Sequence, residues 1–215
     1  MRGILVSNNY GSIATQERLL QDAAFLRQAL ERDCGHDPGE TPGHPILVAL
    51  SGLPGTGKSY FAGELTKLVP LLVLESDRVR KLLVPKPKYT QGEHSRVFDV
   101  CHLLIEEYLS QGCRLLFDAT NLTEYFRRPL YRICDRLSVP LVLVRFTASR
   151  ETVRHRLEGR AAGLHPGGYS DAGWSIYCRL FPSEEPIQRQ HFTVDSSGDT
   201  CLVLEDVARL AASVR

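Results

Sequence analysis

The chain holds 215 residues, 43% of them hydrophobic and 24% charged, with a formal net charge of +1. Such a chain buries one α/β core without disulfide or metal staples, and its composition excludes wholesale disorder. No apolar run approaches the ~20 residues that cross a bilayer, the opening MRGILVSNNYGS is too short in apolar residues for a signal-peptide core, and a cytoplasmic protein without membrane contact is expected.

Residues 12–33 place Leu19, Leu20, Ala23, Leu26 and Leu30 at helical spacing, with charges on much of the other face; this is the pattern of an amphipathic helix. CGHDPGETPGHP, at 34–45, has three Gly and three Pro and reads as a linker. From Ile46 the pattern changes to apolar runs typical of buried parallel strands. These are ILVALS (46–51), LLVLES (71–76), CRLLFD (113–118), PLVLVRF (140–146) and HFTVDSS (191–197). Helical stretches alternate with them at 58–68, 94–110, 123–137, 149–160, 170–180 and 204–214. The alternation predicts an α/β fold, a five-stranded parallel sheet with helices on both faces plus an N-terminal helix. The expected division is 1–44 as helix and linker and 45–215 as one globular domain. AAGLHPGGYSDAG (161–173), with four Gly, is expected to be mobile. The six Cys form no C-x-x-C pair and sit mostly among apolar residues, so buried free thiols in a reducing compartment are expected.

Gly52-Leu53-Pro54-Gly55-Thr56-Gly57-Lys58-Ser59 satisfies G-x-x-x-x-G-K-[ST] in full, between a predicted strand and a predicted helix. The glycines let the backbone curl so that its N–H groups face phosphate oxygens, and the following helix adds its positive end. Lys58 is a point charge for the β- and γ-phosphates, and Ser59 offers a hydroxyl to Mg²⁺. A nucleoside triphosphate site is therefore expected, with ATP and Mg²⁺ as its occupants. LLVLES runs into Asp77 and, three residues on, Arg80. On a helix these share a side, the carboxylate suited to take a proton from a hydroxyl and the guanidinium to hold an anion. The same spacing also fits an N-cap aspartate followed by a solvated arginine. CRLLFD ends in Asp118, a Walker-B-like carboxylate for the metal.

Of 26 basic residues, 21 are Arg. Residues 127–160 hold nine Arg against Asp135, Glu151 and Glu158, a local charge of 9 − 3 = +6 suited to polyanions. Arg156 and Arg160 share a helical face leading into the Gly-rich segment. A lid over residues 154–173 is expected there, closing on the transferring phosphoryl group. The His residues show no metal-ligand spacing, and Trp174 and Tyr177 read as packing residues.

Together these motifs make residues 46–195 resemble P-loop kinases of the polynucleotide-kinase-like group. The resemblance rests on GLPGTGKS, on Asp77-x-x-Arg80, on DATNLTEYFRR (118–128), on Arg156-x-x-x-Arg160 and on the segment from Ser170 to Phe181. It implies a P-loop NTPase fold in which Lys58 contacts the transferred phosphate, Ser59 and Asp118 serve Mg²⁺, and Asp77 is the general base. Arg80 then holds an acceptor's 3′-phosphate, Arg156 and Arg160 stabilise charge, and Tyr60, Thr120 and Asn121 join the P-loop in the nucleotide site. The acceptor expected is a hydroxyl, either a polynucleotide 5′ end or a small metabolite or antibiotic. A non-catalytic nucleotide-gated binding module is the rival from another class.

Overall fold

The computed structural model describes residues 13–34, 44–88, 90–164 and 169–213. Most of the expected linker and residues 165–168 of the Gly-rich segment lie outside the described residues. In chain order the elements are α1 (Ile13–Cys34), β1 (Ile46–Ser51), α2 (Lys58–Leu68), β2 (Leu72–Glu75), α3 (Ser76–Leu83) and α4 (Gln91–Ser110). They continue with β3 (Arg114–Asp118), α5 (Glu124–Leu137), β4 (Leu141–Thr147), α6 (Arg150–Ala161), α7 (Trp174–Leu180), a 3₁₀ turn (Phe181–Ser183), β5 (Phe192–Asp195) and α8 (Cys201–Ser213).

The five strands form one sheet in the order β2-β3-β1-β4-β5, every pair parallel. Each strand must therefore be joined by a crossover, and the helices fall on both faces. Alternation along β1 shows the two sides: Leu47 and Ala49 pack toward α1, α4 and α5, whereas Ile46, Val48 and Leu50 pack toward α2 and α8. β1 lies between β3 and β4, where the connections depart in opposite directions. In an open α/β sheet that switch point, at the carboxyl ends of the strands, is where a ligand crevice forms.

Two helix starts differ from the sequence reading for local reasons. α4 begins at Gln91 rather than 94, because the Thr90 hydroxyl caps it, accepting the Glu93 amide at 3.2 Å. α7 begins only at Trp174 rather than 170. Gly173 precedes it, and residues 169–172 are drawn instead onto α3 by a Lys81–Asp171 ion pair of 2.8 Å.

α1 is part of the core. Leu19, Ala23, Leu26 and Leu30 recur every three or four residues and are buried against α4 and α3. Arg96 of α4 grips the Asp22 carboxylate through two bonds of 2.7 Å, and Arg27 pairs with Glu107. Among the described cysteines Cys101, Cys113 and Cys134 are buried free thiols, while Cys178 and Cys201 are exposed ones. No described helix is long and apolar enough to cross a membrane. Leu26→Ala should lower the unfolding free energy by about 2–5 kcal/mol in urea denaturation. Leu20→Ala on the exposed side of α1 should cost no more than about 0.5 kcal/mol. Equal, small effects would show that α1 is not docked as described.

Candidate functional site

The strand ends open into a cleft of ≈ 1400 Å³ that touches the P-loop, α3, the start of α4, α5, α6, α7 and the turn after β5. Its floor is the loop between β1 and α2. Gly52 turns there with φ 150°, and an added Cβ would sit 2.6 Å from the Phe146 carbonyl oxygen of β4, so no side chain fits. Gly57 enters α2 with φ 90°, a left-handed conformation that glycine adopts at low cost. Leu53 drives the loop's apolar side into Val153 and Leu157 of α6 and Tyr177 of α7. Thr56 is buried within the loop, its hydroxyl donating to the Leu53 carbonyl at 2.7 Å. Pro54, Gly55, Gly57, Lys58, Ser59 and Tyr60 face the cleft, as expected of a cradle.

The charges in the cleft are buried and mutually dependent. The Lys58 ammonium donates to the Gly52 and Leu53 carbonyls at 2.9 Å each. Burial pulls its pKa below the ordinary value, Arg160 adds to that, and Asp118 and Asp77 oppose it. Ser59 donates to the Asp118 carboxylate at 2.6 Å. Burial pushes the Asp118 pKa up, against the Lys58 charge and the Ser59 bond. A buried carboxylate beside a hydroxyl supplies hard oxygen donors of the kind Mg²⁺ takes, and no cluster of three His, Cys, Asp or Glu occurs among the described residues. Two protein oxygens fit an ion that keeps waters and substrate phosphates as its other ligands.

Glu75 was not singled out from the sequence. It ends β2 directly across the ladder from Asp118. Burial first, and then the Asp118 charge, push its pKa up to about 7. Arg80 is buried on α3 one turn after Asp77, and both face the cleft. This removes the reading of Arg80 as a solvated residue. His94 of α4 was also passed over. Its Nδ1 meets the Arg80 guanidinium at 3.1 Å, and the arginine must be the donor. Burial, then the Arg80 charge, lower the His94 pKa to about 4, so the ring is neutral near pH 7. It is wedged between Phe98 and Phe126, with centroids at 4.5 and 4.7 Å.

Asn121 does not line the cleft beside Thr120, as expected; it is buried behind the P-loop. Its amide donates to the Leu50 carbonyl at 2.8 Å, and its own carbonyl accepts from Ser51 Oγ at 3.0 Å and from Arg127 at 2.7 Å. It holds φ 43°, and the Gly52 amide bonds the neighbouring Thr120 carbonyl at 2.9 Å. Arg127 is itself fully buried, spending its other donors on Glu124, Glu185 and Pro186. Arg156 reaches the cleft but is tied down. It bonds Ser196 Oγ at 2.8 Å and the Ser196 carbonyl at 2.7 Å, with the Gly55 carbonyl at 3.4 Å. It thereby ties the P-loop to the turn after β5. Arg160 faces the cleft on the same side of α6.

Part of the basic block is engaged by acids of the same chain. Arg127, Arg136, Arg145 and Arg154 pair with Glu124, Glu106, Glu184 and Glu158. The local count of +6 leaves out Glu106, Glu124 and Glu184, which lie outside residues 127–160. Arg150 and Arg154 lie over the Trp174 ring, which stacks on Tyr177 at 5.0 Å. Those aromatics pack α7 on α6, as expected.

This sheet order, cradle and strand-end carboxylate define a P-loop NTPase fold. Residues 47–167 match the AAA domain family model, and the chain belongs to that family. Among solved structures it is similar to APE1195, with 19% identity, a TM-score of 0.62 and coverage of 80% of this chain and 98% of that one. It is similar also to Chaetomium thermophilum Kti12 in complex with ADP-AlF3 (15%, 0.60, 79% and 99%). A third is the Mycobacterium tuberculosis APS kinase CysC in complex with AMPPNP and APS (16%, 0.57, 80% and 100%).

Asn121→Ala should cost about 2–3 kcal/mol in chemical denaturation, since it orphans the Leu50 carbonyl and places alanine in a left-handed conformation. A cost below about 0.5 kcal/mol would show that Asn121 is not the pin. The folded Glu75 keeps a proton between its ordinary pKa of 4.5 and about 7, where the unfolded chain has lost it. Its contribution to stability therefore falls as pH rises through that window. Glu75→Gln removes this loss, so in buffer without nucleotide or divalent cation the variant should gain on the parent between about pH 5 and about pH 8. Parallel pH profiles would contradict the shift.

Proposed function

We propose that the protein is an ATP-dependent kinase, transferring the γ-phosphoryl group to a hydroxyl of an acceptor molecule. The observation that carries this reading is the placing of Asp77 and Arg80 in the same cleft as the P-loop. A site that merely held nucleotide has no use for a carboxylate and a buried arginine on the far wall. The similar APS kinase structure, with AMPPNP and APS together, supports a donor and an acceptor sharing such a cleft.

The P-loop amides and the α2 N-terminus hold the donor's phosphates, and Lys58 leaves the loop carbonyls to meet the transferred group. Ser59 and Asp118 would hold Mg²⁺, whose chemistry is to neutralise charge on the phosphate oxygens. Asp77 accepts the acceptor's hydroxyl proton as that oxygen forms its bond to the γ-phosphorus. The bond from phosphorus to the bridging oxygen breaks, and ADP leaves with that electron pair. Arg160 and Lys58 face the charge that spreads over the transferred oxygens, so that positioning and electrostatics supply most of the rate.

The test is transfer from γ-labelled ATP to a panel containing a 5′-hydroxyl oligonucleotide and small hydroxylated metabolites. Lys58→Ala should lose about 3 kcal/mol or more of transition-state stabilisation, more than about a hundredfold in rate. Asp77→Asn should bind ATP normally and transfer nothing. Near-parental turnover in the Asp77 variant would remove it as the base.

A further inference from the structure

We infer that the acceptor is a small anionic alcohol, its hydroxyl and its phosphate or carboxylate only a few bonds apart, bound wholly inside the cleft, and not the end of a polynucleotide. The inference rests on the kinase reading and narrows its substrate.

The first argument is spacing. Asp77 and Arg80 are about one helical turn apart on the eight-residue α3, with Cβ atoms about 5–6 Å from each other. A hydroxyl at the carboxylate and an anion at the guanidinium then belong to one compact part of the acceptor, a few bonds apart. The Arg80 guanidinium is not adjustable. It is buried, one nitrogen is fixed on His94, and His94 is itself boxed by Phe98 and Phe126. A neutral imidazole orients the arginine without cancelling its charge.

The second argument is enclosure. The acceptor end is walled by α3, by His94 of α4, by Phe126 of α5 and by Ile176 of α7. Residues 169–172 line a further side. Asp171 and Tyr169 line the cleft and are fastened to the outer side of α3, Asp171 by Lys81 at 2.8 Å and Tyr169 by Arg78 over its ring at 5.6 Å. A strand leaving over this side would have to part those contacts. Volume agrees. Pockets for single small ligands run to about 300–1000 Å³, so ≈ 1400 Å³ holds one nucleotide and one further small molecule.

The third argument is charge. A polynucleotide binder tracks phosphates with a groove of available Lys and Arg. Here four of the nine arginines of residues 127–160 are in ion pairs, and Arg156 is spent on Ser196. Two opposite-charge contacts likewise occupy Lys81 and Arg189.

The experiment uses the full chain saturated with AMPPNP and Mg²⁺ and titrates three probes by calorimetry: sn-glycerol 3-phosphate, glycerol and a 5′-hydroxyl 12-mer. Glycerol 3-phosphate is expected to bind saturably and glycerol at least tenfold more weakly. The 12-mer should bind no better than glycerol 3-phosphate, with a log–log salt slope no steeper. Arg80→Gln should weaken glycerol 3-phosphate at least tenfold, and Arg128→Gln, outside the cleft, should leave it unchanged. Tighter binding of the 12-mer with a salt slope of several units overturns the inference, as does glycerol 3-phosphate binding that is absent or indifferent to Arg80. If AMPPNP itself fails to bind, the kinase reading falls first, and that result is separate from any acceptor result.

Discussion

Everything at this site hangs on how β1 ends. The chain must leave a fully buried strand and turn at once into a loop whose amides face inward, and Gly52 does so beneath the Phe146 carbonyl with no room for a side chain. A turn so tight leaves strand-end polar groups that have no ladder partner, and buried groups of that kind cost about 1–3 kcal/mol each when unmet. Asn121 meets one of them at Leu50, its backbone meets Ser51, and Thr120 meets the Gly52 amide. Arg127 holds Asn121 in turn. The cradle is therefore fixed largely from behind, by Asn121 and Arg127, which do not line the cleft. That arrangement leaves the loop's own amides and Lys58 available on the cleft side.

The electrostatics have the opposite character. Lys58, Asp118 and Glu75 sit close together, and burial disfavours the charged form of each. Coulombic attraction offsets part of that penalty, and the rest remains as strain on ionisation: a lysine pulled down, two carboxylates pushed up. Groups in this condition gain most from a ligand that brings charge of the right sign. Phosphates relieve the lysine, and a cation relieves the carboxylates. The site is stiff in its backbone and unrelieved in its charges, a combination suited to binding energy that appears only when donor and acceptor are both in place.

The sequence showed the sheet and the cradle because each is written locally. Apolar-rich runs of six or seven residues announced five strands, and one octet announced the loop. Asp118 was legible because a strand's last residue must emerge at the carboxyl edge. Glu75 emerges by the same rule, yet its importance depends on β2 lying beside β3, which no local pattern encodes. His94 could have been caught from Thr90 and Glu93, a capping pair that starts α4 early and brings His94 onto its first turn. Asn121 and the arginine block were misread for one reason. A polar side chain near a site was assigned to the site, although a fold with tight turns needs buried polar side chains for itself. Arg136 and Arg145 pair with acids some 30 and 39 residues away, which a running charge count cannot see.

α1 shows how a remote element bears on the acceptor wall. Its leucines and Asp22 bind α4, through Arg96 and the apolar seam. Arg96 lies two residues from His94 and two from Phe98, on the opening turns of the same helix. Any tilt of α4 that moved His94 would have to drag Arg96 from a bidentate carboxylate and uncover part of the leucine seam. Burying one leucine is worth about 1.5–3 kcal/mol, so that tilt is expensive. Docking α1 thus steadies α4, α4 carries His94, and His94 orients the Arg80 guanidinium in the cleft wall. A cleft wall that carries one buried arginine is steadied by such a brace, and in this chain the brace is the helix that precedes β1.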